Sequence, residues 1–182
     1  MISFWIKIRT DGQSGTGTQA DPFDGGNKKF DDAIKAIKLK VPYDSKETVV
    51  INILDGHFAT RGFAVGKNWK IVGQGIDVTY LELQDVGRTN FKDPDVYIIG
   101  TVYDDDENHQ NDGNHRRDPV WAKLDGWADT FYVADLTLDC QWPIQSARTA
   151  QMGNGRTVKY GCIHAQCITG IIERVRAIHW GS

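Results

Sequence analysis

The densest collection of groups able to do chemistry is DDDENHQNDGNHRRD, residues 104 to 118. Asp104, Asp106, Asn108 and Asp112 supply hard oxygen donors of the kind calcium takes. The helix–loop–helix calcium pattern needs Gly at its sixth position and a Glu at its twelfth, and counted from Asp104 these are His109 and His115. That motif therefore fails. Asp104, Asp106 and Asp112 stand as a candidate calcium site in a looser loop, against the competing reading of a solvated, turn-rich polar run.

A second set of carboxylates lies in ADLTLDC. Asp135 and Asp139 are four residues apart and on a straight strand share one face, about 13 Å apart at ~3.3 Å per residue. Paired acids in glycoside hydrolysis stand about 5 to 9.5 Å apart. The two cannot serve as a direct pair, although either could work with an acid on a neighbouring strand about 4.8 Å away. The competing reading is a pair of outward, solvated charges that keep strand edges from associating.

Aromatic and imidazole groups add less. Trp121, Trp127, Trp142 and Trp180 could each stack on a sugar ring or simply pack, and they share no period. Trp142, close behind Asp139, joins Asp135 and Asp139 as a candidate substrate contact. His57, His164 and His179 show no H-x-H or H-E-x-x-H metal spacing and read as hydrogen-bonded strand residues. There is no G-x-S-x-G elbow and no nucleophile to nominate. Three cysteines, Cys140, Cys162 and Cys167, lack zinc-type spacing; they read as small buried apolar groups, with a disulfide between two of them as the alternative.

The segment KIVGQGIDVTYLEL, residues 70 to 83, poses a sharper question. A dinucleotide fingerprint needs a third Gly at position 78 and a helix after the glycines. Position 78 is Val78, and the following TYLEL is β-branched and aromatic, so Gly73 and Gly75 read as a corner between strands. Nucleotide binding is disfavoured. Nucleic-acid binding is disfavoured too, because 21 basic residues against 24 acidic leave a net charge of -3 rather than a basic footprint.

The elements that must position these groups follow from periodicity. In residues 28 to 39 the apolar Phe30, Ala33, Ile34 and Ile37 fall on one helical stripe, with Asn27 as the expected N-cap and Asp31 and Asp32 in the first turn. Residues 10 to 27 are glycine-rich and read as an irregular loop. From Thr48 the period is two, in short strands within TVVINIL, GFAV, WKI and VTYLEL separated by glycine corners. A long excursion spans about 85 to 130. FYVADLTLDCQW (131 to 142) overlays GIIERVRAIHWG (170 to 181) at an offset of 39, matching Val133 with Ile172, Leu136 with Val175 and Leu138 with Ala177. Self-similar short strands with glycine corners imply stacked parallel coils. The offset is read as more than one rung, with CIHA (162 to 165) as an intermediate strand. No run approaches about 18 apolar residues, and the start, MISFWIKIRT, lacks the features of a signal peptide.

Taken in order, TQADPFDG, KKFDDAIKAI, VVINILDGHFATRGF, KIVGQGIDVTYLEL, ADLTLDC and IIERVRAIHWG resemble the N-terminal part of the pectate lyase superfamily, whose members are single-stranded right-handed parallel β-helices. In that family a helix caps the first coil, a strand ending in a D-G-x-F/Y turn opens the solenoid, and an I-x-G-x-G-x-x-x-T-x-L segment turns a corner. The matching positions are Phe30 to Ile37, Asp55-Gly56-His57-Phe58, and Ile71 through Leu81.

The resemblance implies one all-β solenoid domain over residues 1 to 182, capped by the helix. It also implies secretion or a cell-surface location, and action on or binding of extracellular polysaccharide. A lyase or hydrolase activity is one form of that expectation. The family's hydrolase elements (N-T-D, paired Asp, H-G and R-I-K in consecutive coils) do not occur as that series, and the nearest match to its lyase arginine motif, Arg174-Val175-Arg176, lacks the proline. The alternative is a non-catalytic shaft or adhesive module, such as a phage tailspike, expected to form homotrimers. Because the last strand would expose an apolar face, the chain is expected to be the N-terminal portion of a longer solenoid.

Overall fold

The computed structural model describes residues 1–84, 95–101, 121, 128–141 and 159–179. In chain order its elements are β1 (Ile2–Lys7), β2 (Phe23–Asp24), α1 (Phe30–Lys40), β3 (Val49–Ile53), β4 (Gly56–Thr60), β5 (Phe63–Ala64) and β6 (Asn68–Val72). There follow β7 (Thr79–Leu83), β8 (Asp95–Gly100), β9 (Ala128–Asp139), β10 (Lys159–His164) and β11 (Cys167–Ile178).

Every pairing among these strands is parallel. They form three stacks. The first runs β1, β3, β6, β9, β11; the second runs β4, β7 and the later part of β9; the third runs β5, β8, β10. Because β9 pairs with β6 before Asp135 and with β7 after it, the first two stacks are one curled sheet.

The period of two puts alternate side chains inside, and parallel register puts like on like. Phe4 lies opposite Ile51, Ile51 opposite Ile71, Ile71 opposite Val133 and Val133 opposite Ile172, a column crossing five strands. Phe58, Leu81, Leu138 and Ala177 make a second column on the other side of the bend. Ile51, Ile71, Val133, Phe58, Leu81 and Leu138 are all completely buried.

The helix buries the predicted stripe, Phe30, Ala33, Ile34 and Ile37. Phe30 sets its ring 5.6 Å from Phe58 and 5.7 Å from Phe63, so α1 packs on the ends of the second and third stacks. The helix begins at Phe30, later than expected, and its N-cap is Lys29 rather than Asn27. Asn27 and Lys28 both have left-handed φ, +48° and +67°, and are spent on a turn. The buried Asp24 organises that turn, accepting hydrogen bonds from the backbone N–H of Gly26 (2.9 Å) and Arg9 (3.1 Å) and meeting Lys29 Nζ at 2.9 Å.

Three further differences have physical causes. The first residues form β1, since ISFWIK alternates and Phe4 and Ile6 are buried. The excursion from 85 to 130 contains β8, which lies between β5 and β10. The offset of 39 spans a single rung: Val133–Ile172, Leu136–Val175 and Leu138–Ala177 are direct register partners. CIHA is no intermediate rung of that stack; Cys162, Ile163 and His164 lie in β10, paired with β8 in the separate sheet.

Candidate functional site

The glycine corner is where the sheet bends. Gly73 N–H donates to the Ala134 carbonyl at 2.9 Å and Gly75 N–H to the Asp135 carbonyl at 2.8 Å, so the G-x-G backbone is tied to the next strand in the stack. Thr137 Oγ1 donates to the Ile76 carbonyl at 2.6 Å, holding the 73–78 loop down over β9. In β9 and β11 the same corner is a single left-handed residue, Asp135 (φ +59°) and Arg174 (φ +49°).

That bend decides what the two candidate acids of β9 do. Since the strand is not straight, Asp135 and Asp139 do not share one flat face. Asp135 takes a two-pronged hydrogen bond from Arg174, Nε at 2.5 Å and Nη2 at 2.8 Å, and the guanidinium holds its carboxyl below the usual carboxylate range. Arg174 Nη2 also donates to Glu173 at 3.2 Å. Glu173 accepts from the Tyr132 hydroxyl, which is the main reason its carboxyl is held low and the Tyr132 hydroxyl is pushed up. Arg176 meets Asp77 at 2.9 Å. Both arginines of the Arg174-Val175-Arg176 segment are thus engaged with carboxylates.

Asp139 has a different neighbourhood. Its register partner on β7 is Glu82, which places two outward carboxylates on adjacent strands of one stack. Each contacts an imidazole: His57 Nδ1 meets Glu82 Oε1, and His179 Nδ1 meets Asp139 Oδ1 at 2.8 Å. The carboxylate side chains are mostly covered, 22% exposed for Glu82 and 14% for Asp139, whereas the imidazoles are open at 63% and 55%. The His57 ring lies flat on Tyr80, centroids 4.2 Å apart and planes within 5°. His57 and Tyr80 are themselves register partners, so the stacked rings and the two acid–imidazole pairs share one outward strip.

Such a strip can hold and move protons. An imidazole can donate or accept a hydrogen bond through its ring nitrogens and a carboxylate accepts one, so each contact is a path along which a proton can pass. Two such pairs one strand apart offer one group to give a proton and another to take one. A flat ring pair beside them, His57 exposed and Tyr80 half-buried, gives a stacking surface for a sugar face.

Among the residues expected to do chemistry, Asp135 and Asp139 are therefore separated by role, one held in an ion pair and one in the strip. Trp121 is buried, its Nε1–H donating to the Val41 carbonyl at 3.3 Å, and packs edge-on against Trp69 at 5.3 Å rather than facing out for a sugar. Trp142, Asp104, Asp106 and Asp112 lie outside the described residues, as do Trp127 and Trp180. Among the described residues no group of three or more His, Cys, Asp or Glu side chains is arranged to hold a metal. His57 and His179 are hydrogen-bonded side chains, as the sequence implies, whereas Glu82 is not among the residues the sequence singles out. The signal for Glu82 is an alignment of LEL (81 to 83) with LDC (138 to 140), displaced from the β6 alignment by the extra residues of the 73–78 loop.

No helix among the described residues is long and apolar enough to cross a membrane. No protein-family model matches the chain, and neither a curated protein nor a solved structure matches it.

Proposed function

We propose that the chain is a right-handed parallel β-helix of the pectate lyase superfamily kind, capped by α1. We further propose that it acts on or binds extracellular polysaccharide along the outward side of the β4–β7–β9 stack. The observation that supports this most is the register pairing of Glu82 with Asp139, each against an imidazole, beside the stacked rings of His57 and Tyr80. The sequence motifs set out above point the same way.

Adjacent strands lie about 4.8 Å apart, and side chains leaning from neighbouring strands reach the roughly 5 to 9.5 Å separation that acid pairs in glycoside hydrolysis use. In this reading one of the pair, protonated, gives its proton to the leaving glycosidic oxygen. The other, ionised, attacks the sugar or takes the proton of a water. Trp142 would add a stacking surface, and calcium at Asp104, Asp106 and Asp112 would add a requirement for the ion.

A non-catalytic shaft or adhesive module, assembling as a homotrimer, is the second reading. It is favoured by the exposed apolar side chains Ile168, Ile171 and Ile172 of β11.

The test is a panel of polyuronides and neutral polysaccharides, with calcium or with a chelator, followed by reducing-end release and the ultraviolet absorbance of unsaturated products. Turnover by the wild-type chain, with losses of about 10²-fold or more in Glu82→Gln and Asp139→Asn, supports an enzyme. Retardation in polysaccharide gels without turnover leaves a binding protein. Neither result, together with a trimer by light scattering, gives the shaft.

A further inference from the structure

We propose that Cys140 and Cys162 form a redox-sensitive disulfide that staples the end of β9 to β10, with Cys167 left free. Cys140 follows the last residue of β9 and is completely buried, whereas Cys162 sits in β10 and is partly exposed. Their sulfurs are 3.0 Å apart, one just past the end of β9 and the other within β10, strands that belong to different sheets. All three cysteines are free thiols in the structure. A disulfide needs about 2.05 Å between sulfurs, so closure asks for an approach of about 1 Å. Cys167 opens β11 opposite Ala128, on a different strand from either member of the pair.

The accessible member suits the role of attacking thiol. The S–H of Cys162 also has the Leu138 carbonyl within 3.6 Å as an acceptor. Donation from Cys140 holds the Cys162 thiol below its ordinary range, while the same contact and burial push the Cys140 thiol up. With a low-molecular-weight disulfide such as oxidised glutathione as the oxidant, the Cys162 thiolate attacks one of its sulfurs and releases the first thiolate. The Cys140 sulfur, giving up its proton, then attacks the Cys162 sulfur and releases the second. The protein loses two protons and two electrons, and the small disulfide becomes two thiols. The bond closes the segment between residues 140 and 162 into a loop and adds a covalent tie between two sheets that the chain already links through residues 61–62 and 165–166. It fits an oxidising compartment and would open in a reducing one.

The experiment equilibrates the 182-residue chain in glutathione buffers of graded ratio, traps thiols by alkylation, and maps peptides by mass. The expected result is one Cys140–Cys162 linked peptide, an alkylated Cys167, and a thermal midpoint about 5 to 10 °C higher in the oxidised form. Cys140→Ala and Cys162→Ala should each abolish the link and the shift, and Cys167→Ala should keep both. Three alkylated cysteines in the oxidising buffer, a link that includes Cys167, or an oxidised form that melts no higher than the reduced one overturns the proposal. The mapping of the wild-type chain decides even where a variant fails to fold.

Discussion

Asp135 and Arg174 occupy matching positions on adjacent strands, flanked by the register pairs Ala134–Glu173 and Leu136–Val175, and both adopt left-handed backbone at φ +59° and +49°. Their side chains then lie beside each other and join through two hydrogen bonds. Asn visits this conformation more easily than other non-glycine residues, and β-branched residues hardly at all. Asp135→Asn keeps the bend but gives up the charge that faces Arg174, so it should lower the urea midpoint slightly, and Asp135→Val should lower it clearly more. Equal midpoints for the two would show that the bend does not depend on residue 135.

Acid sensitivity follows from the same cluster. Arg174 holds the carboxyl of Asp135 low, and the Tyr132 hydroxyl and Arg174 hold that of Glu173 low. A carboxyl whose folded pKa lies below its unfolded one contributes stability that is full above the unfolded value, about 4, and is lost as pH falls through the folded value. Thermal midpoints should fall below about pH 4, and Arg174→Gln should flatten that acid limb, because part of the shift goes with the guanidinium.

Asp31 is expected to behave in the opposite sense. Its carboxylate accepts from Thr60 Oγ1 at 2.7 Å and from the Arg61 backbone N–H at 3.0 Å, yet burial pushes its carboxyl up. A raised folded pKa means that the charged form burdens the fold, and the burden lifts as pH falls through that pKa. Asp31→Asn retains an acceptor without the charge. Its melting temperature relative to wild type should rise between pH 4 and pH 7, and scanning calorimetry at the two pH values reads the difference directly.

Gly73 leaves no room for a side chain. A Cβ there would lie 2.1 Å from the Asp135 carbonyl oxygen, a backbone atom that cannot swing away. Gly73→Ala should cost about 1 to 3 kcal/mol, the range for overpacking, measured by denaturant unfolding. A variant as stable as wild type would mean that β6 and β9 approach less closely at this corner.

The five-strand column sets a contrast between its middle and its end. Ile71 is completely buried between Ile51 and Val133, whereas Ile172 is 54% exposed. Ile71→Ala should cost about 2 to 5 kcal/mol, and Ile172→Ala well under half of that. Similar losses for both would indicate that β11 is covered in solution.

Much of this architecture is written in side-chain periods. The stripe Phe30, Ala33, Ile34, Ile37 and the two-residue alternation of VVINI and TYLEL state which faces are buried, and they are buried. The match of Val133 to Ile172 was readable because β9 and β11 bend at equivalent single residues, so an ungapped comparison keeps them in step. The pairing of Glu82 with Asp139 was hidden for the converse reason. Residues 73 to 78 add length between β6 and β7 that β9 lacks, and an ungapped comparison loses register there. Asn27 failed as a cap because a left-handed turn around Asp24 delays the helix. Contacts such as His57 with Glu82 join residues far apart in the chain, and nothing local announces them.

The corner that begins at Gly73 is several residues long between β6 and β7 and has a counterpart only one residue long in β9, yet the strands on either side stay aligned. A curled parallel sheet of this type can therefore lengthen its elbows independently of its strands. New surface can be grafted at an elbow, as the 73–78 flap over Thr137 already is, while the interior packing of neighbouring strands goes on unchanged.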